Sequence, residues 1–117
     1  MTLTIGGGPF GSQPGGAFNF DYEKPGSVLY WEDSPRRVRG ELGGRTVANS
    51  SRMKLLHETC RLPVYYFPRE DVEMALLEES GTRYRCPHKG DARFWTVRVG
   101  DRTAPDAAWC YPEPVEG

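Results

Sequence analysis

A single, mainly antiparallel β domain with one short helix is the fold class that the sequence predicts. Three observations point to it. Short β-prone runs recur along the chain and are closed by turn-forming residues. Two of those runs flank Gly43-Gly44, a two-residue connection whose positive φ angles glycine supplies cheaply. One stretch alone, residues 69–79, changes to a helical period.

Taken in order, residues 1–26 are crowded with breakers: Gly6-Gly7-Gly8-Pro9, Gly11, Pro14-Gly15-Gly16 and Pro25-Gly26. They read as an extended, Gly/Pro-rich arm, punctuated by Phe10, Phe18, Phe20 and Tyr22, ahead of a single β-rich domain over 27–117. Val28-Leu29-Tyr30-Trp31 is the first strand, stopped by Glu32-Asp33-Ser34-Pro35. The hairpin follows, Arg37 to Leu42 against Arg45 to Ala48. Met53 to Glu58 fits a strand or one turn of helix, and Leu62 to Phe67 reads as a buried strand that Pro68 ends. Over 69–79, Val72 and Leu76, flanked by Met74, Ala75 and Leu77, make an apolar stripe. Glu70, Asp71 and Glu73 fall where a helix dipole favours anions, and Ser80-Gly81 closes the helix. Strands over Thr82 to Cys86, Phe94 to Val99 and Ala107 to Tyr111 complete the chain, which Pro112, Pro114 and Gly117 close.

Composition excludes several classes. A length of 117 residues suits one domain. A 38% hydrophobic content with 14 aromatics (5 Phe, 3 Trp and 6 Tyr) is enough to fold. Fifteen basic against sixteen acidic residues give a net charge of −1, so no global field favours nucleic acid or an anionic membrane. No apolar run approaches the roughly 20 residues that cross a bilayer, and the start lacks a signal-peptide pattern. Cys60, Cys86 and Cys110 form no paired framework, so the thiols are expected reduced and the location cytoplasmic.

Four blocks in order carry a family likeness: Ala48-Asn49-Ser50, Tyr65 through Val72 (YYFPREDV), Cys86-Pro87-His88-Lys89-Gly90, and Trp109-Cys110-Tyr111-Pro112-Glu113-Pro114. Over Val28 to Pro114 the chain resembles the bacterial domain-of-unknown-function family 427. The resemblance implies a compact domain of Mss4-like, or β-tent, type, with two antiparallel sheets meeting at an angle. It implies no established activity. Zinc-bearing relatives of that fold use two Cys-x-x-Cys knuckles, and this chain has neither, so no metal and no cofactor are expected. The nucleotidyltransferase label sometimes attached to the family's profile finds no support: Gly6 to Gly11 lacks the Lys-Ser or Lys-Thr of a phosphate loop. Glu70, Asp71 and Glu73 have a plain role as first-turn carboxylates.

Each remaining constellation has a functional and a plain account. Cys86-Pro87-His88-Lys89-Gly90 offers a thiol, an imidazole and an ammonium, fit for a thiolate nucleophile or an anion grip. Its plain account is a buried cysteine before a solvated turn. His57 and Cys60 with Cys86 and His88 match a tetrahedral zinc set in composition, but Cys-x-His on a strand lacks the turn of a knuckle. Arg36, Arg37, Arg39, Arg45, Arg52 and Lys54 are interleaved with Glu32, Asp33 and Glu41, so a solvated hairpin rather than a nucleic-acid surface is expected. The aromatics Trp31, Tyr66, Trp95, Trp109 and Tyr111 either fill the core or form a cage.

The leading expectation is a small ligand-binding β domain, its pocket lined by Tyr66, Trp109 and Tyr111, with polar contacts from Asp71, Cys86, His88 and Lys89. Such a mixture of aromatics and ionisable groups is what binding clefts favour. One alternative is a small enzyme using Cys86, or Asp71 with His88 as acid and base. Another is a homodimeric module whose arm, Phe10 to Tyr22, docks on a neighbour.

Overall fold

The computed structural model describes residues 3–114. The first two residues of the expected arm, and the last three that close the chain, lie outside the described residues. Eight strands run in order: β1 Leu29–Ser34, β2 Val38–Leu42, β3 Arg45–Ser50, β4 Met53–Glu58, β5 Val64–Tyr66, β6 Leu77–Cys86, β7 Gly90–Val99 and β8 Arg102–Cys110. They form three antiparallel sheets, β1-β4-β5, β2-β3 and β6-β7-β8, where two were expected. The extra sheet is the Gly43-Gly44 hairpin, and an isolated bridge pairs its Ala48 with Val72. The turn is as expected: Gly43 and Gly44 have φ of 58° and 81°, values that cost an L side chain conformational strain.

The chain divides into two compact units, Met1–Val38 with Ser50–Pro68, and Arg39–Asn49 with Arg69–Gly117. In the first, β4 is the central strand and pairs Leu56 with Trp31 on one side and Val64 on the other. Met53 and Leu56 are its buried apolar residues, at 1% and 2% exposure. Alternation places Tyr30, Glu32, Leu55, His57 and Tyr65 on one face and Trp31, Leu56, Val64 and Tyr66 on the other. Trp31 meets Tyr66 edge-on at 5.2 Å between ring centres. The strand expected to be buried over Leu62 to Phe67 is short and only partly covered, since β5 keeps three residues and Tyr65 faces solvent.

Residues 3–15 of the Gly-rich segment are not extended. They wind into turns closed by their own backbone: the Phe10 N–H donates to Leu3 O at 3.0 Å, Gly11 to Gly8 O at 2.9 Å, Gln13 to Gly6 O at 3.1 Å and Gly15 to Gly7 O at 3.0 Å. Backbone groups withdrawn from water need partners, and without a neighbouring strand the segment finds them within itself. The buried Thr4 ties it to β4 by donating to Glu58 O at 2.8 Å. Phe18 lies 4.6 Å from Tyr22 and 5.1 Å from Phe20, ring centre to ring centre.

The second unit holds the largest departure from expectation. Residues 69–79 are not one α-helix but two 3-10 turns, Arg69–Asp71 and Met74–Leu76, after which β6 begins at Leu77. The bonds are of the i to i+3 kind, from Val72 to Arg69 O and from Leu76 to Glu73 O. A helix of some 11 residues is marginal alone, and pairing overrides it here. The Glu73 N–H donates to Val47 O at 2.8 Å, while Leu77, Glu78 and Glu79 pair with Val97, Thr96 and Trp95. Ser80-Gly81, expected to end a helix, sits in a bulge of β6 between Glu79 and Arg83. Cys86, Ala92 and Val97 are buried in this sheet.

Candidate functional site

The β6–β7 hairpin carries the first block of expected site residues. Cys86 pairs with Gly90 across a connection of Pro87, His88 and Lys89, and the Lys89 N–H donates to Cys86 O at 3.3 Å. Gly90 has φ of 115°, so the chain reverses where glycine removes the steric cost. The turn sorts the three chemical groups. Cys86 turns inward at 6% exposure, His88 faces solvent, and the half-buried Lys89 lays its ammonium 5.3 Å from the centre of the Tyr111 ring. That distance is within cation–π range.

Cross-strand register places Phe94 beside Trp109, their rings 6.4 Å apart, on the sheet face shared with Cys86 and Ala92. Trp109 is 42% exposed. The opposite face carries a second stacked pair, with the Arg69 guanidinium 5.5 Å from the Trp95 ring centre and the Trp95 indole N–H donating to Cys110 Sγ at 3.5 Å. The aromatics therefore do not simply fill a core: Trp31, at 49% exposure, and Trp109 keep about half their surface in solvent.

Of the seven expected site residues, the structure brings Lys89 into contact with Tyr111 and sets Cys86 and Trp109 on one sheet face. Asp71 stands in the first 3-10 turn, His88 at the tip of the hairpin. Tyr66 belongs to the other unit, where its ring partner is Trp31. His57 and Cys60 also belong to that other unit, whereas Cys86 and His88 do not. Among the described residues no group of three or more His, Cys, Asp and Glu could hold a metal ion.

Two polar constellations escaped the sequence reading. The first centres on Asp106, at φ of 50° in a bulge of β8. Its carboxylate accepts from Ser80 Oγ at 2.5 Å and Thr82 Oγ1 at 2.7 Å, so it reaches over β7 to the bulge of β6. Arg83 donates to the Ser80 and Thr82 carbonyls at 3.0 Å each. The Ser80 hydroxyl, then that of Thr82, holds the Asp106 carboxyl below its ordinary value. A lowered folded value means that the stabilisation is complete above the unfolded value, about 3.9, and is lost as pH falls through the folded one. The thermal midpoint gap between wild type and Asp106→Asn is therefore expected to hold constant from neutral pH to about pH 5 and to shrink below about pH 4. A gap that widened with acid, followed by circular dichroism, would contradict this. Pro105-Asp106, directly before the strand expected from Ala107, was the available signal.

The second constellation is Glu32 with His57, on one face of the β1-β4 pair. His57 Nε2 lies 3.0 Å from Glu32 Oε1. The sequence offers His57 as a zinc ligand, and the carboxylate it meets instead is 25 residues away.

A mainly β chain of three antiparallel sheets, with cations laid on aromatic rings, is the class that fold and geometry define. Residues 30–117 match the family described as a domain of unknown function, DUF427. The chain belongs to that family. A comparison with curated proteins finds no match. No helix of the described residues is long and apolar enough to cross a membrane.

Proposed function

We propose that this chain is a small ligand-binding β domain that holds a flat, anionic molecule on the Phe94–Trp109 face of the β6-β7-β8 sheet. The observation that carries the reading is Trp109, left 42% exposed beside Phe94 on a sheet with Lys89 already stacked on Tyr111. Exposed aromatic surface of this kind marks binding sites, and a cation at its margin selects for negative charge. Asp71, Cys86 and His88 belong to the proposal as neighbours in the same unit. The β-tent arrangement and the cytoplasmic location implied earlier are part of it too. Pairing of two chains through the N-terminal segment is a second reading, favoured by the solvent exposure of Phe18, Phe20 and Tyr22.

Salicylate, with the neutral salicylamide as comparator, tests the leading reading by tryptophan fluorescence and calorimetry. Saturable binding of salicylate is expected, with Trp109→Ala and Lys89→Met each weakening it about tenfold, or about 1.4 kcal/mol. Equal binding of the amide, or unchanged affinity in both variants, would refute it.

A further inference from the structure

The face of the β6-β7-β8 sheet turned away from Phe94 and Trp109 gathers arginines. Register sets Arg83 directly opposite Arg93 and Arg85 opposite Asp91, and alternation puts Trp95, two residues along β7, on the same side. Like charges directly opposite one another destabilise a sheet, so such a pair calls for a compensating anion. Glu79 meets the need only in part. Its Oε1 lies 3.1 Å from Arg83 Nη2 and 3.8 Å from Arg93 Nη1, so one carboxylate charge is shared by two cations.

The two arginines are held differently. Arg83 is fixed, its Nη1 donating to the Ser80 and Thr82 carbonyls and its Nη2 to Glu79. Arg93 is not. Its contact with Glu79 is too long for a hydrogen bond, and its guanidinium donates to no acceptor among the described residues. Both side chains keep about half their surface in solvent, 51% for Arg83 and 52% for Arg93, so their N–H groups are open to an incoming anion.

Charge on this face is unbalanced. Arg85 is matched by Asp91 at 3.6 Å. The Asp106 carboxylate is taken by the Ser80 and Thr82 hydroxyls and pairs with none of these arginines. A further guanidinium, that of Arg69, lies 5.5 Å from the Trp95 ring centre, with no carboxylate in ion-pair reach among the described residues. Arg69, Arg83 and Arg93 against Glu79 leave an excess of two positive charges. A guanidinium fork matches the oxygens of a phosphate group. Because one oxygen atom already meets both forks, a tetrahedral group in place of the carboxylate reaches both.

We propose that Arg83 and Arg93 form an oxyanion site on the Trp95 face of the sheet for the doubly charged group of a phosphate monoester, which displaces the Glu79 carboxylate from between them. Arg69, on the Trp95 ring, adds attraction. The site is separate from the Phe94–Trp109 face, which lies on the other side of the sheet.

Methyl phosphate is the probe, and methanesulfonate, also tetrahedral but singly charged, is the comparator. At about pH 7.5 the phosphate carries close to two charges, its second pKa being about 6. Calorimetry on the full chain is expected to show saturable binding of methyl phosphate, about tenfold or more tighter than that of methanesulfonate. In proton–nitrogen spectra, methyl phosphate should move the Nε–H resonances of Arg83 and Arg93 and leave the Trp109 indole N–H in place. Arg93→Gln should weaken binding about tenfold. Glu79→Gln should tighten it several-fold, because the competing charge is gone while the Ser80 and Thr82 carbonyls still hold Arg83; a merely structural ion pair predicts no gain. Equal affinity for the two probes, unchanged affinity in Arg93→Gln, no gain in Glu79→Gln, or shifts at Trp109 in place of the arginines would each overturn the proposal. Should either variant fail to fold, the wild-type comparison of the two probes decides alone.

Discussion

Leu56→Ala is expected to lower the unfolding free energy by about 2–5 kcal/mol, the range for deleting a buried leucine's branch and leaving a cavity. Leu56 is 2% exposed and sits on the central strand of its sheet, flanked by Trp31 and Val64. Neither flank can close over the gap without losing register with β4, since each strand is fixed there by backbone pairing. The upper part of the range applies where collapse is hindered, and a strand paired on both sides is such a place. Leu62→Ala is the internal comparison. The same atoms leave a side chain that is 74% exposed, so the cost should stay within about 0.5 kcal/mol. Urea titrations monitored by circular dichroism read both, as a displaced midpoint with unchanged slope. Equal losses from the two variants would show that Leu56 does not anchor the first unit.

The elements legible in the sequence were those whose signal is local. Gly43-Gly44 fixes its hairpin because the positive φ of both residues is a property of glycine itself. The strands ending at Cys86 and Val99 were legible from their alternation. Residues 69–79 misled for the complementary reason. Their apolar stripe and acidic first turn satisfy a helix, but Leu77 to Glu79 are claimed by β7 and the Glu73 N–H by Val47, partners remote in the chain. Short helical patterns have too little intrinsic stability to resist such competition. The arm misled in another way: glycine excludes regular structure, yet it also permits the tight turns that close Gly6 to Gly15.

Site residues divide along the same line. The Cys86-to-Gly90 block was legible as a strand end and turn, and its inward cysteine followed from the plain account. The contact of Lys89 with Tyr111 joins two blocks that the sequence could only name side by side. Glu32 with His57, and Asp106 with Ser80 and Thr82, depend on strand register over separations of 25, 26 and 24 residues. Composition and spacing carry no record of such pairing.

Gly11→Ala is the second large effect, and it tests the N-terminal segment as folded structure. A Cβ added at Gly11 would lie 2.3 Å from Gly6 O and 2.9 Å from the carbonyl carbons of Gly6 and Ile5. These are backbone atoms, so no rotamer change can relieve the overlap. The turn must open. Overpacking that side chains can absorb costs about 1–3 kcal/mol, and a clash against backbone belongs at or above the top of that range. Opening would release the bonds from Gly11 to Gly8 O and from Gln13 to Gly6 O, and the Lys24 ammonium would lose Gly11 O, now 2.6 Å away. The tie of Thr4 to β4 holds the segment by its other end, so the damage should concentrate at residues 5–15. Gly16→Ala, where an added Cβ meets nothing within 4 Å, should leave stability nearly unchanged. Hydrogen exchange at Gly8, Gly11, Gln13 and Gly15 distinguishes the two. Protection lost in Gly11→Ala and kept in Gly16→Ala is the expected outcome, and equal protection in both would mean that the segment is not held by these turns.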